Sequence, residues 1–272
     1  MNGHDDLLGL AFGALGPAQD FFFAIALASL RVQVAFSLLP ATSTQFIQGF
    51  VRTGLVTIVG AFVAFGAPPG ELQHLSPALF AAVALKEVMI GLVMGFSAST
   101  VFWIAQSVGT LIDQQAGFGG AQMSNPLAQE QVTPTSSLLL MLLVGVFYEL
   151  GGMLVFLGAL FDSFHLWPLV SPLPKLAALP ELFIVNQGDS LMTSIVRFAA
   201  PILLVLLLVD LGFGFLTRTA DKLEPGSLST PVKGAVTLLM LALLVGVLIS
   251  QVRRFVLPTD LLAQLTAAIG LH

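Results

Sequence analysis

KEVMIGLVMGFSASTVFWIAQSVGTLIDQQAGFGGAQMSNP, residues 86–126, is the stretch whose reading decides the fold. Lys86 and Glu87 open it, and no Asp, Glu, Lys or Arg follows until Asp113. A helix crossing a bilayer core needs about 20 mostly apolar residues, so this run is long enough to span one. Gly91, Gly95 and Ser99 recur at every fourth position and therefore share one helix face. A stripe of small residues lets a second backbone approach closely, which is how helices associate in lipid. Past Asp113 the character changes: Gly117, Gly119 and Gly120 surround Phe118, Met123 follows, and the segment closes on Asn125-Pro126. A tightly packing helix thus runs into an almost uncharged, glycine-rich loop.

The composition agrees with that reading over the whole chain. Of 272 residues, 56% are hydrophobic and only 9% charged, against roughly 25% charged in soluble domains. Mean hydropathy is +0.96. Cysteine is absent, which excludes disulfide frameworks, thiolate metal sites and cysteine nucleophiles. The net charge of -5 is spread thinly, and no basic patch points to nucleic acid. With 22 Phe but 2 Trp and 1 Tyr, the aromatic belts common at membrane interfaces are thin. The start, MNGHDD, is acidic and lacks the basic region of a signal peptide, so insertion through an internal helix is expected.

Taken in order, residues 1–20 read as a polar, Gly/Pro-containing lead-in, and a first apolar run goes from about Phe21 to Leu39 with Arg31 inside it. A linker, ATSTQFIQGFVR, precedes a second run over about 53–67, which Pro68-Pro69-Gly70 ends. The third run starts near Pro77. As one straight helix to Ile112 it would reach about 50 Å, so a break, a kink or a protrusion is expected. A fourth run spans about 136–161 with Glu149 near its middle. Four prolines between 162 and 190 predict an irregular connection. A fifth run, about 191–216, holds Arg197, Pro201 and Asp210, and a sixth spans about 232–251. Residues 259–272 read as a short apolar helix. The expectation is an all-α membrane protein of about six to eight hydrophobic helices with helical hairpins and no soluble domain, forming one unit over residues 1–272. Counting six simple spans, Lys and Arg fall on both sides, so the positive-inside rule assigns no orientation.

Charges inside such runs are the candidates for function. Arg31, Lys86, Glu87, Glu149 and Asp210 each cost about 2.5–3.5 kcal/mol at a helix centre on insertion scales, so they face protein or a water-filled path. Three readings stand: pairing within the chain, such as Arg31 with Asp210 or Glu149; pairing with partner subunits; and ion conduction. Catalysis has little support. The histidines at 4, 74, 165 and 272 are scattered and form no metal-binding pair. Ser97 has no histidine in an apolar run to act as its base. The sequence GFGG lacks the Lys and Ser/Thr of a phosphate loop. No enzyme, cofactor or metal is expected. The loop at 117–120 reads either as an ordinary solvated connection or as a mobile apolar plug, because irregular backbone at membrane depth is tolerated where it lines a cavity.

The order of motifs resembles the FliR/SctT family, the inner-membrane export-apparatus component of flagella and of type III secretion injectisomes. The matching residues are Lys86-Glu87, Gly109, Asp113, Gln115, Gly117 and Asn125-Pro126, then Ala200-Pro201, Asp210, Gly214, Arg218 and Pro231-Val232-Lys233. They cover about residues 20–255. The segment TADKLEPGSLSTPVK (219–233) departs from the flagellar pattern and favours the virulence branch. The resemblance implies a non-enzymatic subunit of the export gate, passing unfolded proteins across the bacterial inner membrane within the secretion-system basal body. It implies assembly with an R-type pentamer, an S-type tetramer, a U-type switch protein and a V-type export-gate protein. It places a plug-like loop at about 109–125, with Gly117, Phe118, Gly119, Gly120 and Met123 closing the channel. It gives Arg31, Lys86, Glu87, Asp113, Glu149, Asp210 and Arg218 structural or inter-subunit roles, and Gly91, Gly95 and Ser99 helix packing. The rival reading is a self-contained multi-pass small-molecule transporter or channel, which predicts paired broken helices in inverted repeats; no convincing pair is visible.

Overall fold

The computed structural model describes the backbone of residues 3–66, 76–118, 123–124, 131–169, 179–219 and 225–256, and the side chains of 19–66, 76–118, 133–169, 186–218 and 228–253. Among these residues the chain is all-α apart from one two-residue ladder. The helices are α1 (Gly3–Leu38), α2 (Gly49–Phe65), α3 (Pro77–Ala116), α4 (Pro134–Glu149), α5 (Gly152–Leu166), α6 (Leu179–Thr219) and α7 (Pro225–Val256). The ladder pairs β1 (Met123–Ser124) antiparallel to β2 (Gln131–Val132), with Met123 opposite Val132.

Four stretches are long and apolar enough to cross a membrane: Gln19–Leu38, Pro77–Ala116, Asn186–Arg218 and Leu228–Arg253; α4 and α5 together make a fifth if the bent pair counts as one span. Helix α2, with 17 residues, is apolar but shorter. Large apolar side chains stand exposed on the long helices, among them Leu85, Leu204, Leu208, Phe215, Leu239 and Leu243. A water-soluble chain would not leave contiguous faces of this kind bare. This is an all-α membrane protein.

Several elements differ from the sequence expectation. Helix α3 runs unbroken for 40 residues, about 60 Å at 1.5 Å per residue, so of the three alternatives for the third run the break is not found. Ser76 Oγ accepts the Leu79 N–H at 3.3 Å, and Pro77 follows as the first helical residue, the usual chemistry of a helix start. Residues 109–116, expected in the loop, form the last turns of this helix, because Gln106 through Ala116 continues its pattern until Gly117 stops it. Helix α1 begins at Gly3, within the stretch read as a lead-in. The fourth run divides at Leu150–Gly151, where Gly151 adopts φ 73°, a left-handed conformation that glycine adopts without strain. The expected helix at 259–272 lies outside the described residues.

The chain packs as two compact units: residues 1–98 with 156–180, and residues 99–155 with 181–272. In the first, α1 packs on α2 and on the first half of α3. A Cβ at Gly91 would stand 2.6 Å from Arg31 O, and one at Gly95 would stand 2.8 Å from Ala35 O. Two glycines of the expected stripe therefore do bring backbones together, as small residues do in membranes. Ser99 is buried as well. Rings fill the rest: Phe36 and Phe156 lie 6.1 Å apart, and Phe62 meets Phe161 edge-on at 5.4 Å, within the range of favourable aromatic pairs. In the second unit α3 and α4 approach closely at Gly109, where a Cβ would lie 2.6 Å from Ser136 N. Phe102 and Phe147 meet edge-on at 5.5 Å beside them.

Candidate functional site

Apart from Glu149, the charges that lipid would not tolerate fall into two networks, one in each unit. In the first unit Arg31, Lys86 and Glu87 are all 0% exposed. Arg31 grips Glu87 with two donors, Nε to Oε2 at 2.6 Å and Nη2 to Oε1 at 3.0 Å. This is the bidentate geometry in which guanidinium–carboxylate pairs are strongest. Lys86 Nζ lies 3.2 Å from Glu87 Oε1. Two cations thus face one carboxylate, and the excess charge is met by dipoles at the end of α5. Arg31 donates to Ser163 Oγ at 2.9 Å and to Trp167 O at 3.0 Å, while Lys86 donates to Pro168 O at 2.7 Å and Leu169 O at 2.8 Å. Carbonyls just past a helix C-terminus carry its partial negative charge, so they suit cations. The Arg31 guanidinium also sits 3.8 Å over the Phe164 ring, a cation–π contact. The cluster ties α1, α3 and the exit of α5 into one object with its donors satisfied.

The second network surrounds the glycine loop. Asp113, also 0% exposed, accepts the Thr135 backbone N–H on Oδ2 at 2.8 Å and the Thr135 hydroxyl on Oδ1. Thr133 stands at the N-cap of α4 without a side-chain cap of its own. Asp113 of α3 therefore satisfies an orphan N–H of α4 from outside that helix, and its charge complements the positive helix end. Three residues later, Ala116 ends α3 and Gly117 turns away at φ 89°, again a glycine conformation. Beside that exit Lys233 of α7 pairs with Asp210 of α6 and donates to Gln115 O at 3.3 Å; Gln115 Nε2 donates to Asp210 Oδ2 at 3.1 Å. The side chains of Lys233 and Asp210 keep 13% and 33% exposure, unlike the sealed charges elsewhere. Phe118 rests on α7: a Cβ at Gly234 would stand 3.1 Å from its Cζ. The loop then returns through the β1–β2 ladder to Thr133.

Measured against the sequence, Lys86, Glu87, Asp113 and Asp210 all hold intrachain roles. Arg31 pairs with Glu87 and not with Asp210 or Glu149. The nearest carboxylate in its own unit is one helix face away on α3, and Asp210 is claimed by Lys233. Glu149 is exposed at the end of α4 and makes no ion pair among the described residues; Arg218 is likewise exposed, in the last turn of α6. Gly119 and Gly120 lie outside the described residues, and Met123 is described only as backbone in β1. Sequence reasoning missed Ser163 and Thr135 as partners, Lys233 as the counter-ion of Asp210, and Gly234 as the seat of Phe118. The signal for Lys233 was present, since it stands as a lone cation at the start of an otherwise uncharged run. No group of His, Asp and Glu among the described residues could hold a metal ion.

Comparison with known proteins agrees with this architecture. Residues 22–258 match the family described as bacterial export proteins, family 1. The chain is 30% identical over 214 residues to the Yop proteins translocation protein T of Yersinia pestis, covering 78% of this chain and 82% of that one. It is 28% identical to the surface presentation of antigens protein SpaR of Salmonella typhimurium, over 80% and 81% of the two chains. With the flagellar biosynthetic protein FliR of Bacillus subtilis the identity is 27%, over 92% and 97%. This chain belongs to bacterial export proteins, family 1, the FliR/SctT family of type III export-apparatus membrane proteins.

Proposed function

We propose that the chain is the T-type subunit of an injectisome export gate in the bacterial inner membrane. In that role it helps form, and closes with its glycine loop, the channel that passes unfolded proteins. Family membership carries the export role and association with other export-apparatus components. The slightly higher identity to the Yersinia translocation protein than to the Bacillus flagellar one favours the injectisome branch. The observation that supports closure is the build of the loop's root. Helix α3 ends at a left-handed glycine, and the connection that follows is fastened at both its ends, by Asp113 on Thr135 and by the Gln115 contacts. A connection with a fixed root and glycines at its start has the mechanics of a plug: anchored, yet free of side-chain bulk where it must swing.

The subunit works without chemistry of its own; the driving force enters from the associated apparatus. Its partners are an R-type pentamer, an S-type tetramer, the U-type switch and the V-type gate protein. The test is deletion of residues 117–120 in the assembled complex, read as ion leak across the membrane. Increased leak supports closure by this loop. Leak unchanged from the parent complex overturns it and leaves the family assignment standing.

A further inference from the structure

We propose that the α6–α7 hairpin meets an anionic lipid surface at one end of its apolar face, where Arg197 and Arg253 hold headgroup phosphates. The inference is independent of how the channel is closed.

The contact between Asp210 and Lys233 gives the two helices a common level. Thr219, the last residue of α6, lies nine positions past Asp210, and Pro225, the first of α7, lies eight before Lys233. Were the helices parallel, residues 220–224 would have to bridge about 25 Å along the axis. Five extended residues reach only about 20 Å. The helices therefore run antiparallel, and positions equally far before Asp210 and after Lys233 stand at one depth.

On both helices the face that the chain leaves uncovered changes chemistry at a shared depth. The buried line of α6 runs through Leu191, Ile195 and Leu206. Its opposite line is exposed throughout, apolar at Leu211, Leu208 and Leu204 and then polar at Arg197, Thr193 and Ser190. The buried line of α7 runs through Leu241, Leu244 and Leu248. Its opposite line is apolar at Leu239, Leu243 and Val247 and then polar at Ser250 and Arg253. Leu204 and Leu239 each stand six positions from the ion pair, Thr193 and Ser250 seventeen, Ser190 and Arg253 twenty. Asp210 itself lies off this stripe, on the flank that meets Gln115. A partner protein covers a surface patch by patch and imposes no common depth on two helices; the border of a bilayer does. Among the described residues Arg197 and Arg253 make no ion pair, and a guanidinium takes a phosphate with two parallel donors. Their seven-residue offset, about 10 Å along the axis, is spanned by the headgroup layer and by arginine stems that snorkel along apolar surface.

The test uses the assembled export apparatus in vesicles of phosphatidylcholine with phosphatidylglycerol, which supplies the anionic phosphate. The chain has no cysteine, so Thr193→Cys, Leu204→Cys, Leu239→Cys and Ser250→Cys each carry a single nitroxide. Collisions with dissolved oxygen and with a water-soluble nickel chelate read where each label sits. Oxygen should dominate at 204 and 239, with matching depths, and the chelate at 193 and 250. Labels at 204 and 239 shielded from both reagents would show that a partner subunit covers the face, and would overturn the proposal. Native mass spectrometry of complexes released from the vesicles then compares bound phosphatidylglycerol with bound phosphatidylcholine. Arg197→Gln and Arg253→Gln are each expected to lower that ratio roughly 2- to 5-fold, the scale set by one basic residue at a charged bilayer, while Arg197→Lys retains most of it. A parent-level ratio in the Arg197→Gln, Arg253→Gln double variant overturns the headgroup contact whatever the labels report. Should that variant fail to assemble, the labels in the parent background decide the matter alone.

Discussion

The two ion networks use the same residue types at different depths. Arg31, Lys86 and Glu87 are fully sealed, and every donor placed there meets a carboxylate, a hydroxyl, a carbonyl or a ring face. Asp210 and Lys233 keep part of their surface open and share a single neighbour, Gln115. Burial makes an ion pair costly to assemble and costlier still to break singly. Exposure makes it cheap in both directions. The first network holds helices together at full burial, while in the second the Asp210–Lys233 pair is left partly uncovered by the chain. The amino acids alone do not distinguish the two environments; how far the rest of the chain covers each pair does.

The largest expected effect follows from unbalancing the sealed cluster. Glu87→Gln leaves two cations buried with no anion, and loss of one partner from a buried pair costs about 3–5 kcal/mol. That is a large share of the total stability of a typical domain, so the variant should be depleted from membranes and absent from the assembled complex, as immunoblotting of membrane fractions would measure. Lys86→Gln is the informative contrast. It keeps the Arg31–Glu87 pair in balance and retains an amide donor for one of the carbonyls at 168 and 169, so about 1–3 kcal/mol is expected. Equal abundance of the two variants would show that charge balance does not govern the cluster.

How much of this was legible beforehand divides along the same line. Long apolar runs, the small-residue face at 91 and 95, and the loop start at Gly117 could be read because each depends on local composition and helical spacing. Arg31, Glu87 and Asp210 could be flagged because an apolar run makes a charge conspicuous. Their partners could not be assigned, because pairing depends on which helix faces meet. Arg31 and Glu87 are 56 positions apart, and Lys233 and Gln115 are 118 apart. Which of a break, a kink or a protrusion α3 would take was left open for a related reason. Helix length was judged against a bilayer, whereas nothing in Pro77–Ala116 itself interrupts a helix before Gly117. The cap that Asp113 supplies to α4 was invisible because it joins residues 22 positions apart across a loop.

Asp113 lies between the extremes and sharpens the comparison. It is as sealed as Glu87, but its partners are neutral groups at a helix start. Asp113→Asn keeps one acceptor for the Thr135 N–H and gives up the charge that complements the α4 terminus. Caps of this kind are worth about 0.5–2 kcal/mol. The thermal midpoint of the detergent-extracted complex should fall measurably, by less than for Glu87→Gln. A loss as large as that of Glu87→Gln would mean that Asp113 carries a further buried charge partner.

The smallest stability effect is expected at the Asp210–Lys233 pair. Asp210→Asn preserves an acceptor for Gln115 Nε2 and removes only a partly exposed ion pair, worth up to about 1 kcal/mol. Its thermal midpoint should therefore stay close to the parent value in the same assay that registers Asp113→Asn. A midpoint lowered as far as that of Asp113→Asn would instead show that the partly uncovered Asp210–Lys233 pair is held as tightly as the sealed Asp113 contact.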